Sequence, residues 1–350
     1  MQRCYLTALF FAFLPIAVHP QAPQNGTSIG GEAPAAVLSP FETAQSLAAK
    51  GRLAQAQALL ERLASQAPEQ AGVERLRGII FYQQERFTEA IAAFAKAAAQ
   101  DAGDRESIEM RGVSLFRLGR AAEALPFLEQ AHLAVEHANI DPQYVLGLCY
   151  ADLQRYSDAR RAFAAQYGFA PDSAEAHLLA ARLFLRREFA AEAAVEARKA
   201  LEINPALPLA HQLLGEVALA KGDIPAAIRE LEAERKINPL NGAMYDRLGD
   251  AYLRNEQYAE AQQALNRAVL LEPSSTAPYI LLGEVFLKLK QPIQALHYLD
   301  RAVKMDPANY ITHNLLGQAY KATGQMPEAN REFKTGVDLQ HHQIPQAAGK

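Results

Sequence analysis

Residues 245–273 read YDRLGDAYLRNEQYAEAQQALNRAVLLEP, and residues 279–307 read YILLGEVFLKLKQPIQALHYLDRAVKMDP. The second stretch repeats the first at a distance of 34 residues, with matching offsets for Tyr245/Tyr279, Leu248/Leu282, Gly249/Gly283, Tyr252/Phe286, Ala261/Ala295, Leu265/Leu299 and Pro273/Pro307. Leu, Gly and an aromatic residue at spacings of three and four share one face of a helix, and Ala-x-x-x-Leu does the same on a second helix. Small Gly and Ala let the two helices approach, and the large residue fills the hole opposite. The closing Pro stops the second helix, because it has no N–H to donate and clashes with the preceding turn. Each stretch therefore predicts a helix, a turn and a second helix.

The same phrase runs outward in both directions. Alanine recurs at 56, 90, 124, 159, 193, 227, 261, 295 and 329, every step being 34 except one of 35. Glycine recurs at 78, 112, 147, 215, 249, 283 and 317, with Ala44 and Ala181 in its place in the other two repeats. Pro171, Pro205, Pro239, Pro273 and Pro307 keep the 34-residue step, and Pro68 holds the same register in the first repeat. The last copy reads His313-x-x-Leu316-Gly317-x-x-Tyr320, then Ala329-x-x-x-Phe333. Ser39 and Glu42 around Pro40 make a capping-box pair that marks the first helix start. Pro225, Pro292 and Pro327 fall near the starts of second helices, where proline is tolerated.

This pattern resembles the tetratricopeptide repeat signature, with an aromatic residue or His in place of its first Trp. The resemblance covers residues 37–341 as nine repeats: 37–70, 71–104, 105–139, 140–173, 174–207, 208–241, 242–275, 276–309 and 310–341. It implies an all-α fold, a right-handed superhelical α-solenoid with the first helix of each repeat lining the concave wall. A single repeat cannot bury its own apolar face, so stability comes from stacking neighbours.

Two places depart from the pattern. In the third repeat Pro126 sits inside the second helix, where a kink is expected; Glu136 stands at the proline register, and the 35-residue step follows. The joint at 126–140 reads either as a change of superhelical geometry or as a tolerated insertion with a longer helix. At the other end, no polar capping helix follows the last repeat, so Met326, Phe333 and Val337 are expected to leave an apolar edge open for self-association.

The ends differ from the array. Residues 1–22 carry Arg3 and then a nearly uncharged run from Tyr5 to Val18, the layout of a secretory signal peptide and short for a membrane span. Export to the periplasm or outside is the expectation, and an uncleaved N-terminal anchor is the alternative. Residues 23–36 read as a flexible linker and 342–350 as a disordered tail.

Composition narrows the function classes. A net charge of -4 over 350 residues, with 21% charged, argues against a nucleic-acid binder, which needs a clustered basic excess. Two cysteines, Cys4 and Cys149, make no disulfide framework or zinc spacing. No Gly-x-Ser-x-Gly, His-Glu-x-x-His or Gly-rich phosphate loop is present, and the array leaves no length for a catalytic domain. Neither a cofactor nor a metal is called for. His177, His211 and His313 occupy the large-residue place of the first helix and are read as packing residues, and Cys149 as a small buried one.

The resemblance places binding on the concave groove. Projected onto it, the early repeats present Ile79, Tyr82, Val113, Phe116, Tyr144 and Leu148. The later ones present Arg182, Arg186, Glu216, Asp246, Asp250, Arg254, Glu284 and Lys288. Glu216, Asp250 and Glu284 share one repeat position, which predicts an acidic row for an extended partner segment bearing Lys or Arg. The competing expectation is that these carboxylates only pair with Arg254, Lys288 and their neighbours, at little energetic gain. Some members of the family hold chaperone C-termini in a clamp of Lys, Asn and Arg. Here Asn314 alone matches, and the acidic row has the wrong sign. The expected role is a non-catalytic protein-interaction scaffold of an exported or envelope complex, or else a ligand-sensing or substrate-delivery regulatory subunit of a separate enzyme.

Overall fold

The computed structural model describes residues 38–66, 69–132 and 142–343. Among them every regular element is an α-helix, and they fall into two compact units, one ending at Gln154 and the other beginning at Arg155. The first unit contains α1 (Pro40–Ala49), α2 (Leu53–Ala64), α3 (Val73–Gln83), α4 (Phe87–Gln100), α5 (Arg105–Arg117), α6 (Ala121–His132) and α7 (Pro142–Asp152). The second begins with α8 (Tyr156–Gln166), α9 (Ala174–Arg186), α10 (Ala190–Ile203), α11 (Ala210–Lys221) and α12 (Ile224–Ile237). It continues with α13 (Gly242–Arg254), α14 (Tyr258–Leu271), α15 (Ala277–Lys288), α16 (Pro292–Met305), α17 (Tyr310–Ala322) and α18 (Met326–Gln343).

Within each unit the helices pair in chain order, and each second helix also packs on the first helix of the following repeat. First helices additionally touch the next first helix: α1, α3, α5 and α7 in one unit, and α9, α11, α13, α15 and α17 in the other. This makes each unit an all-α solenoid of stacked helix pairs.

The sequence markers explain the packing. All nine periodic alanines, from Ala56 to Ala329, are at most 1% exposed. The glycines lie where a methyl group would collide with the large residue of the second helix. A Cβ on Gly215 would stand 2.6 Å from Leu231 Cγ, and one on Gly78 2.6 Å from Phe94. In the fifth repeat, where Ala181 replaces glycine, the facing register holds Ala197 instead of Leu or Phe, and both are fully buried. Close approach is thus kept by shrinking the partner.

The expected helix boundaries are present. Ser39 and Glu42 form the capping box of α1, with Glu42 Oε2 accepting from the Ser39 N–H at 2.7 Å. Pro225 and Pro292 occupy the first turns of α12 and α16. Asn204, Asn238, Glu272 and Asp306, each just before a periodic proline, leave the helix with φ between -138° and -130°, because a following proline disfavours the helical region. Helix α6 continues through Pro126. The carbonyl of Ala122, which loses its donor there, belongs to an exposed residue open to water.

A fourth periodic feature was not legible in residue identity. Between the two helices of every repeat one residue is left-handed: Gly51, Glu85, Gly119, Gln154, Glu188, Gly222, Glu256, Lys290 and Gly324, with φ from 58° to 81°. The following N–H reaches back five residues, as from Arg86 to Phe81 O at 2.9 Å and from Gln257 to Tyr252 O at 2.9 Å. This closes the first helix in a Schellman arrangement. Glycine fills four of the nine places, so the rest carry no sequence signal.

Residues 1–37, residues 67–68 with the register proline Pro68, residues 133–141, which include most of the 126–140 joint, and the tail from 344 lie outside the described residues. No described helix is long and apolar enough to cross a membrane.

Candidate functional site

In the first unit the projected wall is only partly exposed. Ile79, Tyr82, Phe116 and Tyr144 are half-buried, but Val113 and Leu148 are buried at 2% and 5% exposure. Both belong to the helix packing rather than to an open surface. They share the repeat position of Ile79, Glu216, Asp250 and Glu284: the aliphatic side chains are drawn away from water there, while a carboxylate reaches for solvent or a cation. Around this wall, arginines lie on aromatic rings. Arg117 stands 4.9 Å from the Phe87 ring centre and 5.9 Å from that of Tyr82, and Arg86 stands 4.6 Å from that of Phe81.

In the second unit α13 and α15 enclose a recess of about 610 Å³, closed on one side by Ile311 of α17. Five of the projected residues line it together: Asp246, Asp250, Arg254, Glu284 and Lys288. Its apolar wall comes from Leu253, Ile280 and Leu281, and Arg247 stands at its edge. Arg182 and Arg186 are exposed on α9, outside this recess. Arg247, Ile280 and Leu281 were missed in sequence, because neither the recess nor the reach of Arg247 is set by periodicity.

The acidic row divides by partner. Glu216 accepts from Gln212 Nε2 at 2.9 Å and lies 3.7 Å from Arg247 Nε. Asp250 is paired with Arg254 at 2.8 Å, as the competing expectation had it. Glu284 and Lys288 form no ion pair among the described residues, although both line the recess. Asp246 is the most enclosed, with 8% exposure. Its Oδ2 accepts from Arg247 Nη1 at 3.3 Å, and its buried Oδ1 has no hydrogen-bond partner. Burial pushes this carboxyl up to about 6; Arg247 works against the shift, and Asp250 and Glu272 add to it.

The histidines need a correction. His177, His211 and His313 do sit between helices, but each meets a carboxylate rather than purely apolar neighbours. Nδ1 lies 2.5 Å from Glu196, 2.9 Å from Glu230 and 2.6 Å from Glu332, in each case 19 residues further on. That recurring spacing was a readable signal. A second polar link joins successive repeats: Tyr150 Oη donates to Glu129 and Tyr252 Oη to Glu232, both at 2.7 Å. The separations of 21 and 20 residues differ by the one residue added in the 35-residue step. Cys149 is buried, as read from sequence.

A solenoid of helix pairs with a lined recess has the architecture of a binding scaffold. The tetratricopeptide repeat family model matches residues 41–105, 212–278, 247–292 and 280–333, and a model of the anaphase-promoting complex, cyclosome, subunit 3 family matches 83–166. The chain belongs to the tetratricopeptide repeat family, and is a protein-interaction scaffold of that kind. No curated protein sequence matches it. Among solved structures it is similar to MamA (residues 41 to the end) from Desulfovibrio magneticus RS-1, at 22% identity over 50% of this chain and 98% of that one, TM-score 0.46. It is also similar to YrrB, a TPR protein with an unusual peptide-binding site, at 21% identity over 53% and 95%, TM-score 0.46. The Cut9-Hcn1 hetero-tetramer of APC/C matches at 17% identity over 80% and 55%, TM-score 0.44.

Proposed function

We propose that the second unit binds an extended, basic segment of a partner protein across the recess of α13 and α15, and that the chain itself is not catalytic. The observation that carries this reading is the recess itself. Asp246, Asp250 and Glu284 converge on it; Asp250 is paired with Arg254 at 2.8 Å, Asp246 has one longer contact with Arg247 at 3.3 Å, and Glu284 has no ion pair among the described residues. Ile280 and Leu281 supply apolar surface for the methylene stems of Lys or Arg. Reversing Asp250 and Glu284 to Lys, together with Glu216→Lys, is expected to weaken capture of basic partner segments at least tenfold, about the worth of one or two charge-assisted contacts. Capture that is unchanged at low salt removes the reading.

Export, read from residues 1–22, belongs to the same proposal, and fractionation of cells into cytosol, envelope and medium tests it. Self-association is supported by Met326 and Val337, each 48% exposed on α18. Phe333 is not part of that edge, since its ring lies 2.7 Å from where a Gly317 Cβ would stand, inside the helix pair. A monomer throughout sedimentation at high micromolar concentration would remove the self-association reading.

A further inference from the structure

One carboxylate of the recess is supplied with fewer donors than its burial demands. An ionised carboxylate accepts about four hydrogen bonds, yet Asp246 receives one long one, from Arg247, and its buried Oδ1 receives none. The flanking repeats resolve the same position differently. Gln212 is engaged at both ends of its amide, donating to Glu216 at 2.9 Å and accepting from Asn241 at 2.6 Å, and the other position is the apolar Ile280. In α13 a charge is enclosed with Asp250 and Glu272 adding negative potential, and only Arg247 opposing it.

Arg247 is itself loosely held. Its side chain is half-exposed and its guanidinium is shared between Asp246 at 3.3 Å and Glu216 at 3.7 Å, neither a tight bidentate contact. We propose that Asp246 is the anchor for one lysine or arginine side chain of the bound segment, and that Arg247 is the internal occupant which that side chain displaces. The proposal rests on the groove reading and assigns its deepest contact. The incoming stem packs on Ile280 and Leu281, while Asp250 and Glu284 flank the entrance.

The test uses the full chain and fluorescently labelled extended Ala/Ser peptides with one central Lys, Arg or norleucine, read by anisotropy. The wild type is expected to favour the Lys or Arg peptide over the norleucine peptide about tenfold or more. Asp246→Asn, nearly isosteric, should abolish that preference by weakening the Lys and Arg peptides to the level of the norleucine peptide. Arg247→Ala, a change at the exposed edge, should tighten the Lys peptide about threefold or more, because the competing cation is gone. If D246N keeps the preference while the Asp250→Asn/Glu284→Gln pair loses it, the anchor assignment is overturned and the acidic groove stands. A wild type with no preference for a cation overturns both. Should D246N fail to give a native circular-dichroism spectrum, R247A decides alone: tighter binding supports the anchor, and unchanged or weaker binding overturns it.

Discussion

Each unit of this chain buries a carboxylate on a first helix, and the two are treated in opposite ways. Glu74 on α3 is 2% exposed and receives Lys96 at 2.7 Å and Arg77 at 2.6 Å. Burial works against its charge, yet the hydrogen bond from Lys96 and the nearby Arg77 hold the carboxyl below its ordinary range. Asp246 on α13 is similarly enclosed, but its single long contact leaves burial to push it up. A satisfied buried carboxylate is a structural joint. One left short of donors carries a free-energy cost that only a partner offsets. The wall chemistry follows the same division. In the first unit the cations lie against aromatic rings, whereas in the second the carboxylates face a recess.

What the units share sets the largest expected effect. Gly112 and Gly215 stand opposite Leu128 and Leu231, and an added Cβ would lie 2.8 Å and 2.6 Å from the respective Leu Cγ. Gly112→Ala and Gly215→Ala are each expected to destabilise their unit by about 2–3 kcal/mol through overpacking, measured by urea denaturation. Adding Leu231→Ala to Gly215→Ala recreates the small–small arrangement of Ala181 and Ala197. It should cost less than the two single changes summed, a coupling between facing residues. Strict additivity would show that the glycines are not there for close approach.

The carboxylates themselves give the next effect. Glu74→Gln should cost about 1–2 kcal/mol at pH 7, because charge-assisted bonds are lost. Asp246→Asn should stabilise by about 2–3 kcal/mol at pH 7, following from a pKa raised from 3.8 to about 6. The signs with pH oppose each other. The folded pKa of Asp246 is raised, so its ionisation cost is present above about 6 and disappears as pH falls towards 4. The folded pKa of Glu74 is lowered, so its contribution exists above the ordinary carboxylate range and is lost as pH falls through the folded value. Melting temperatures of both variants relative to wild type at pH 7 and pH 4.5 check this. About a third of the Asp246→Asn advantage should remain at pH 4.5; an advantage undiminished from its pH 7 size would mean that it does not come from the charge.

The repeat architecture was legible because its markers are packing constraints, and packing tolerates few residue types. Ala261 recurs as alanine in all nine repeats, the Gly249 position admits only Gly or Ala, and the Leu265 position takes Leu or Phe except at Ala197, so the markers recur. The left-handed turn residue was invisible because Glu85, Gln154, Glu188, Glu256 and Lys290 accept φ near 60° with no glycine to mark it. The recess was half legible. Five of its lining residues follow from periodicity, but Arg247 and the lack of donors at Asp246 depend on side-chain reach. Val113 and Leu148 were misplaced for a related reason: the repeat position is common to all, but the chemistry of the side chain decides whether it turns in or out. The His–Glu pairs carry a signal in their 19-residue spacing, which shows only when each histidine is read together with the carboxylate of the facing helix.

The smallest expected effect probes the aromatic wall of the first unit. Arg117 lies over Phe87 and Tyr82, and these two rings meet edge-on at 5.5 Å. Its ion pair is a 4.0 Å approach to the exposed Glu85, a contact of little worth at the surface. If the guanidinium acts on the rings, Arg117→Ala should cost about 0.5–1 kcal/mol, and Glu85→Ala almost nothing. Arg117→Lys should fall between, because an ammonium keeps the charge but loses the planar stacking surface. Denaturant midpoints compared at low and high salt separate the two origins: contact with the rings is weakly screened, while an exposed ion pair is screened once the Debye length shrinks to about 3 Å at 1 M salt. A cost for Arg117→Ala that vanishes in high salt would assign the residue to Glu85. The contrast between a cation-capped wall and a cation-seeking recess would then rest on the carboxylates alone.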